Sequence, residues 1–347
     1  ARYLHDPESL MLPTVGRELA HGHWGEFIHY QYNLYQGAIL VDAPLSSLGF
    51  WILGDHLLAW KWYALAYGAA IAALGMLVLQ RTSGRAAALA FPLLLASAPF
   101  VLKDGILTPA GHHVSGFAWA LAALAVAVGG RDDDGAPTRP GLLRGLAAGA
   151  LLGFGAFYMR TVVAAGPAVM LALLRGGWRP LAGFALGCLV LPGAAALDAW
   201  AFAEAVQPYR EWGFGTTLQT MLLAPRAASE TPEIAAKLTE GLSLSLHPIL
   251  FAQPEVTAVR PDPGLLFRSA GRIWSVAWAA APLLAIAGGL SSLARRGRDP
   301  EARGASSWGL AVILLLALGY LATYVVSPFR IDPFLRGLDG TAVHAPR

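Results

Sequence analysis

The chain has 347 residues, 56% of them hydrophobic and only 14% charged, with a formal net charge of +3. This composition excludes a disordered chain or an ordinary soluble domain and makes a lipid bilayer the main solvent. The small positive charge sits in arginine-rich connectors, so it reads as topology and gives no ground for nucleic-acid binding. The single cysteine, Cys188, lies in an apolar run and reads as a packed thiol. Arginine outnumbers lysine 22 to three, and Ala, Gly and Leu are abundant, a usage that points to a GC-rich bacterial genome and hence to the inner membrane.

Residues 1–61 form a polar and aromatic segment too long for a simple connector, and long ordered loops are usually functional. Helix-like spacing runs from Pro13 to Ala20, and Asp42 to Trp60 is apolar enough to touch lipid. Counting the latter as a full span would invert every later loop. It is therefore read as an interfacial or re-entrant helix, with Trp51, Trp60 and Trp62 at headgroup level. Apolar runs at 62–80, 86–102, 114–130, 144–157, 161–174 and 181–199 read as spans, several near the roughly 20 residues that a bilayer core requires. Residues 200–271 read as a small outer cap of helices and irregular structure with a Pro-rich run from His247 to Pro263. Spans at 273–293 and 307–326 come next, completing a membrane region over 272–326, and 327–347 form another outer loop. The predicted fold is an all-α polytopic membrane protein. The chain begins in a polar segment and ends in an outer loop, so further spans are expected before Ala1 and after Arg347.

The connectors after the first, third, fifth and seventh spans carry Arg81 to Arg85, Arg131 to Arg144, Arg175 to Arg179, and Arg295 to Arg303. The positive-inside rule makes these four cytoplasmic. Every histidine and all three lysines, Lys61, Lys103 and Lys237, then fall on the outer face, together with the candidate chemistry.

The first loop opens with His5-Asp6-Pro7-Glu8 and continues with Arg17-Glu18, His21-Gly-His23-Trp24, Tyr30-Gln-Tyr32-Asn33-Leu-Tyr35 and Asp42-Ala43-Pro44-Leu45. Asp6 and Glu8, one residue apart, have the chemistry of a general base for an acceptor hydroxyl or amine, and they are compatible with a divalent cation. The same pair also fits a helix N-terminal cap or a solvated turn. Arg160 sits at the turn between two short apolar runs, where a guanidinium can take a lipid-linked phosphate in bidentate fashion; snorkelling to headgroups is the bland alternative for it and for Lys61. No histidine pair has the spacing of a known metal motif, and no metal site is assigned.

The order of these parts resembles the first outer loop of GT-C superfamily glycosyltransferases, in the aminoarabinose- and mannosyltransferase-like branch. There an acidic pair is followed by an Arg-Glu helix, a Gly-x-Trp turn and an aromatic stretch ending in a Pro-containing amphipathic segment. The matching residues are Asp6 and Glu8, Arg17-Glu18, Gly22-His23-Trp24, and Asp42-Ala43-Pro44-Leu45. Thr161, after Arg160, stands where the family often has a Thr-Lys step, and Leu191-Pro192 resembles the Leu-Pro that ends a later span. Ala345-Pro346-Arg347 is similar to the start of a later Arg-Tyr motif. The resemblance implies a GT-C-like helix bundle that moves a sugar from a polyprenyl-phosphate donor to an acceptor on the periplasmic side. In it Asp6 or Glu8 acts as base, Arg160, Arg17 and Lys61 meet the donor phosphate, and Tyr32, Tyr35 and Asp42 contact substrate. The partners implied are the lipid-linked sugar, membrane lipid and other subunits of a membrane complex. The alternative is a non-catalytic subunit that uses the same scaffold to bind lipid or a partner protein. A coupled transporter is the weaker third reading, since no span holds a mid-depth cluster of ionisable residues.

Overall fold

The computed structural model describes residues 7–24, 36–96, 112–130, 139–201 and 305–326, with the isolated positions 287 and 291. Among these, all regular structure is helical. Helix α1 spans Pro7–Ala20, α2 Gln36–Leu53, α3 Leu57–Thr82, α4 Arg85–Ala96, α5 His112–Val128 and α6 Leu142–Tyr158. A 3₁₀ helix over Arg160–Ala165 leads into α7, Gly166–Leu174; α8 is Trp178–Gly187, α9 Val190–Ala201 and α10 Ala305–Val326. Among the described residues two helical runs, Leu58–Thr82 and Trp178–Leu197, are long and apolar enough to cross a membrane. Helix α3, with 26 residues, is about 39 Å long at 1.5 Å per residue and exceeds the ~30 Å hydrocarbon core.

Alanines fill many enclosed positions beside Leu124, Leu173 and Tyr158, and several large apolar side chains stay exposed. Ala120, Ala123, Ala148, Ala165 and Ala168 are fully enclosed, whereas Leu93, Leu143, Trp178 and Leu197 are each at least two-thirds exposed. Small residues at the helix contacts let the backbones approach closely. The seam between α6 and α8 shows why. A Cβ at Gly145 would overlap the Pro180 carbonyl, one at Gly149 the Phe184 carbonyl, and one at Gly187 the Leu146 carbonyl. Glycines four apart on both helices thus bring the two main chains together.

Arginines gather at one end of the bundle. The Arg81 guanidinium, in the last turn of α3, donates to the Ala125 carbonyl near the end of α5 at 2.7 Å. Arg144, near the start of α6, lies against Gly129 at the end of α5, and Arg175 stacks over the Trp308 ring near the start of α10 at 4.6 Å. Gly176 abuts the Pro140 carbonyl and Gly309 the Thr82 carbonyl, which brings the start of α8 and of α10 to the same end. This grouping is the one the connector charges predict for Arg81, Arg144 and Arg175; Arg131 and Arg296 lie outside the described residues.

Three local expectations differ from the structure. The apolar stretch read as Asp42 to Trp60 is α2 from Gln36 to Leu53, an elbow at Gly54 to His56 with Gly54 at φ +69°, and then the start of α3. Trp60, Lys61 and Trp62 therefore belong to α3, and Trp62 turns inward to donate its indole N–H to the Leu45 carbonyl at 2.9 Å. Trp60 meets Phe50 edge to face, while Trp51 is exposed. The run at 181–199 is two helical pieces, and Leu191-Pro192 opens the second instead of ending it. The proline supplies the cause: its ring would clash with the carbonyl of Cys188, four residues back, so the chain tightens there to Leu189 N–H to Leu186 and Leu191 N–H to Cys188 bonds. The outer cap from residue 202, most of the 273–293 run and the 327–347 loop lie outside the described residues.

Candidate functional site

The end of the bundle opposite the arginines carries the first-loop helices. Helix α1 packs on α2, with Gly16 against Ser46 and the Ala43 carbonyl, and Val15 and Leu19 cluster with Ala43 and Tyr63 of α3. Residues Asp42, Ala43, Ser46, Gly49 and Phe50 repeat at helical spacing on the buried face of α2. That face explains how a carboxylate comes to lie inside.

Asp42 is fully enclosed. Tyr67, in the third turn of α3, donates to its Oδ1 at 3.0 Å, and Tyr158, the last residue of α6, donates to its Oδ2 at 2.6 Å. Ser115, in the first turn of α5, stands 2.7 Å from the Tyr158 hydroxyl. The one phenolic proton goes to Asp42, so Ser115 donates and Tyr158 accepts. Trp119 and Phe154 meet at 4.9 Å beside this chain, and the Tyr158 ring lies 6.1 Å from Trp119 and 6.0 Å from Tyr67. Excluding water strengthens such bonds, and leaving one unmade there is expensive. Asp42 is thus held by protein hydroxyls within the fold and is not open to an acceptor.

A second polar cluster lies on the outside of the elbow. Arg17 grips Asp55 as a fork, Nε at 3.0 Å from both carboxylate oxygens and Nη2 at 2.7 Å from Oδ2, with Glu18 Oε1 3.6 Å from Nη1. Glu18 Oε2 is 2.7 Å from His23 Nδ1. The Arg17 bond holds the Asp55 carboxyl below its ordinary range, and Asp55 in turn raises Arg17. The His23 bond holds Glu18 below its ordinary range, with Arg17 adding to it. These groups lie at the surface, half-buried to exposed, so the cluster fixes the elbow's geometry more than it adds stability.

The predicted site residues fall unevenly on this frame. Arg17 is engaged by Asp55, and Asp42 belongs to the buried hydroxyl chain. Lys61 is half-buried on the second turn of α3. Glu8 lies in the first turn of α1, and Arg160 opens the 3₁₀ helix, separated from Tyr158 by Met159 alone. Asp6, Tyr32 and Tyr35 lie outside the described residues. Sequence reasoning missed Tyr67, Ser115, Tyr158 and Asp55. The available signal was the placement of Asp42 among Ala43, Ser46 and Gly49 on one helical face, which marks a carboxylate facing protein. Among the described residues no group of three or more His, Cys, Asp or Glu side chains is placed to hold a metal ion. No known protein family, no curated protein and no solved structure matches the chain.

Proposed function

We propose that the chain is a multi-pass membrane protein of the bacterial inner membrane, arginine-rich end in the cytoplasm, that transfers a sugar from a polyprenyl-phosphate carrier on the outer side. The proposal rests on the two-ended organisation: Arg81, Arg144 and Arg175 meet at one end, and the helices of the first loop are built onto the other. The outward Leu and Trp side chains and the small-residue core support a bilayer as surround.

In the proposed chemistry Asp6 or Glu8 takes the proton from the acceptor while the acceptor oxygen or nitrogen bonds to the anomeric carbon. The bond from that carbon to the phosphate oxygen breaks, and Arg160 receives the departing charge. Lys61 is a second cation for that phosphate, and Arg17 would have to exchange Asp55 for it. Tyr32 and Tyr35 supply sugar contacts, and a divalent cation at the acid pair is compatible with the same step. The engagement of Arg17 and Asp42 within the protein favours the second reading, a GT-C-like subunit that binds lipid or partner proteins without catalysis.

Purified protein in phosphatidylglycerol nanodiscs, given a panel of radiolabelled undecaprenyl-phosphate sugars and membrane-extracted acceptors, separates the two. Transfer by the parent protein that is lost in Glu8→Gln or Asp6→Asn supports the enzyme. Wild-type turnover in both variants removes the catalytic assignment, and binding of undecaprenyl phosphate without transfer by the parent selects the subunit.

A further inference from the structure

We infer that Asp42 is a positioning residue, which ties α2 to the last residue of α6 and so fixes where the turn at Arg160 stands. One chain of hydroxyls and carboxylate joins four helices, with Asp42 on α2, Tyr67 on α3, Ser115 on α5 and Tyr158 on α6. An apolar residue at position 42 would fill the same space without burying a polar group. A carboxylate instead offers two acceptor oxygens, and two phenols from different helices donate to them.

The backbone beyond Tyr158 is held just as closely. Met159 is extended at φ −150° and ψ 118°, is buried, and seats its side chain against Gly116, where an added Cβ would come within 2.9 Å of Met159 Cβ. Arg160 begins the 3₁₀ helix at the next residue. The Asp42–Tyr158 bond therefore ties the start of that helix to α2, beside the Met159 contact that holds it to α5. That this serves a phosphate rests on the proposed role of Arg160 toward the donor; the mechanical link does not.

The test uses the full chain with Cys188→Ala in nanodiscs, carrying either Thr161→Cys beside the turn or Ser83→Cys at the arginine-rich end. Tyr158→Phe and Asp42→Asn should each raise the maleimide labelling rate at position 161 by about tenfold or more, the opening expected when a buried hydrogen bond is lost and its partner is left unsatisfied. The double variant should label more slowly than the two single effects multiplied together would give, since both changes remove the Tyr158–Asp42 bond, and the rate at position 83 should not move. Tyr67→Phe, which leaves the Tyr158 bond in place, should have the smaller effect and serves if either other variant fails to fold. An unchanged rate at position 161, or equal acceleration at 161 and 83, overturns the inference. Undecaprenyl phosphate binding, measured alongside, separates the two ideas. Weaker binding in both Arg160→Ala and Tyr158→Phe supports the positioning role. Weaker binding in Arg160→Ala alone overturns it and leaves the donor reading standing. Unaltered binding in Arg160→Ala removes the donor reading, and the labelling rates then decide the link by themselves.

Discussion

Replacing Gly149 by alanine should weaken the protein although alanine is the better helix former. At this position the new Cβ would meet the Phe184 carbonyl of α8. The obstacle is main chain, so no side chain can swing aside, and α6 and α8 must move apart. A gap of 0.5–1 Å forfeits roughly a quarter to a half of each dispersion contact across it. Overpacking of this kind costs about 1–3 kcal/mol, and a rigid obstacle places Gly149 near the top of that range. Alanine returns about 1 kcal/mol through helix propensity. The net loss is then about 1–2 kcal/mol. Gly193 in α9 is the matched control, because an added Cβ there meets nothing within 4 Å. Gly193→Ala should keep the propensity gain, so the two variants should differ by about 2–3 kcal/mol. Reversible unfolding in dodecylmaltoside micelles with rising dodecyl sulfate would read the difference. If Gly149→Ala is as stable as Gly193→Ala, the close approach of α6 and α8 is wrong, and with it the small-residue seam.

The elbow cluster should respond to acid in one direction. Glu18 and Asp55 have folded-state affinities for protons below those of free carboxyls, so their contribution is present above the unfolded value and is lost as pH falls through the folded one. The small stability difference between the parent and Arg17→Ala should therefore be full at neutral pH, begin to shrink as pH falls past about 4, the ordinary carboxylate range, and be lost below the lowered folded-state values; a difference that does not shrink at all on acidification would show that Arg17 acts by packing. In sealed inverted membrane vesicles an impermeant maleimide should reach Ser83→Cys and not Thr161→Cys, and in intact spheroplasts the reverse. Labelling of both positions in one preparation would contradict the two-sided arrangement.

Helix positions were legible because sustained apolar runs leave a strong, local signature. The runs at 114–130 and 144–157 match α5 and α6 to within two residues at each end. The pairing of Arg-rich ends was legible for the same reason, since each arginine lies next to the run it terminates. Asp42 was not. Its partners stand 25 and 116 residues away, so nothing near it in sequence reveals whether the carboxylate faces solvent, ligand or tyrosines. The same holds for Arg17, whose partner Asp55 is 38 residues on. Pro192 was read as a terminator because proline often is one, but here α9 resumes around it and the break falls four residues earlier.

The glycine seam also governs what kind of motion this molecule can make. Glycines at 145, 149 and 153 on α6 face a pair at 183 and 187 on α8, three notches against two. Sliding α8 by one four-residue step, about 6 Å at 1.5 Å per residue, would again set glycine against backbone, whereas any intermediate offset would drive side chains into carbonyls. The contact is a detent: it resists creep and favours whole clicks. The short turn from α7 into α8, where Gly177 takes φ +78° and Gly176 is pressed on the Pro140 carbonyl, pins the start of α8 beside the start of α6.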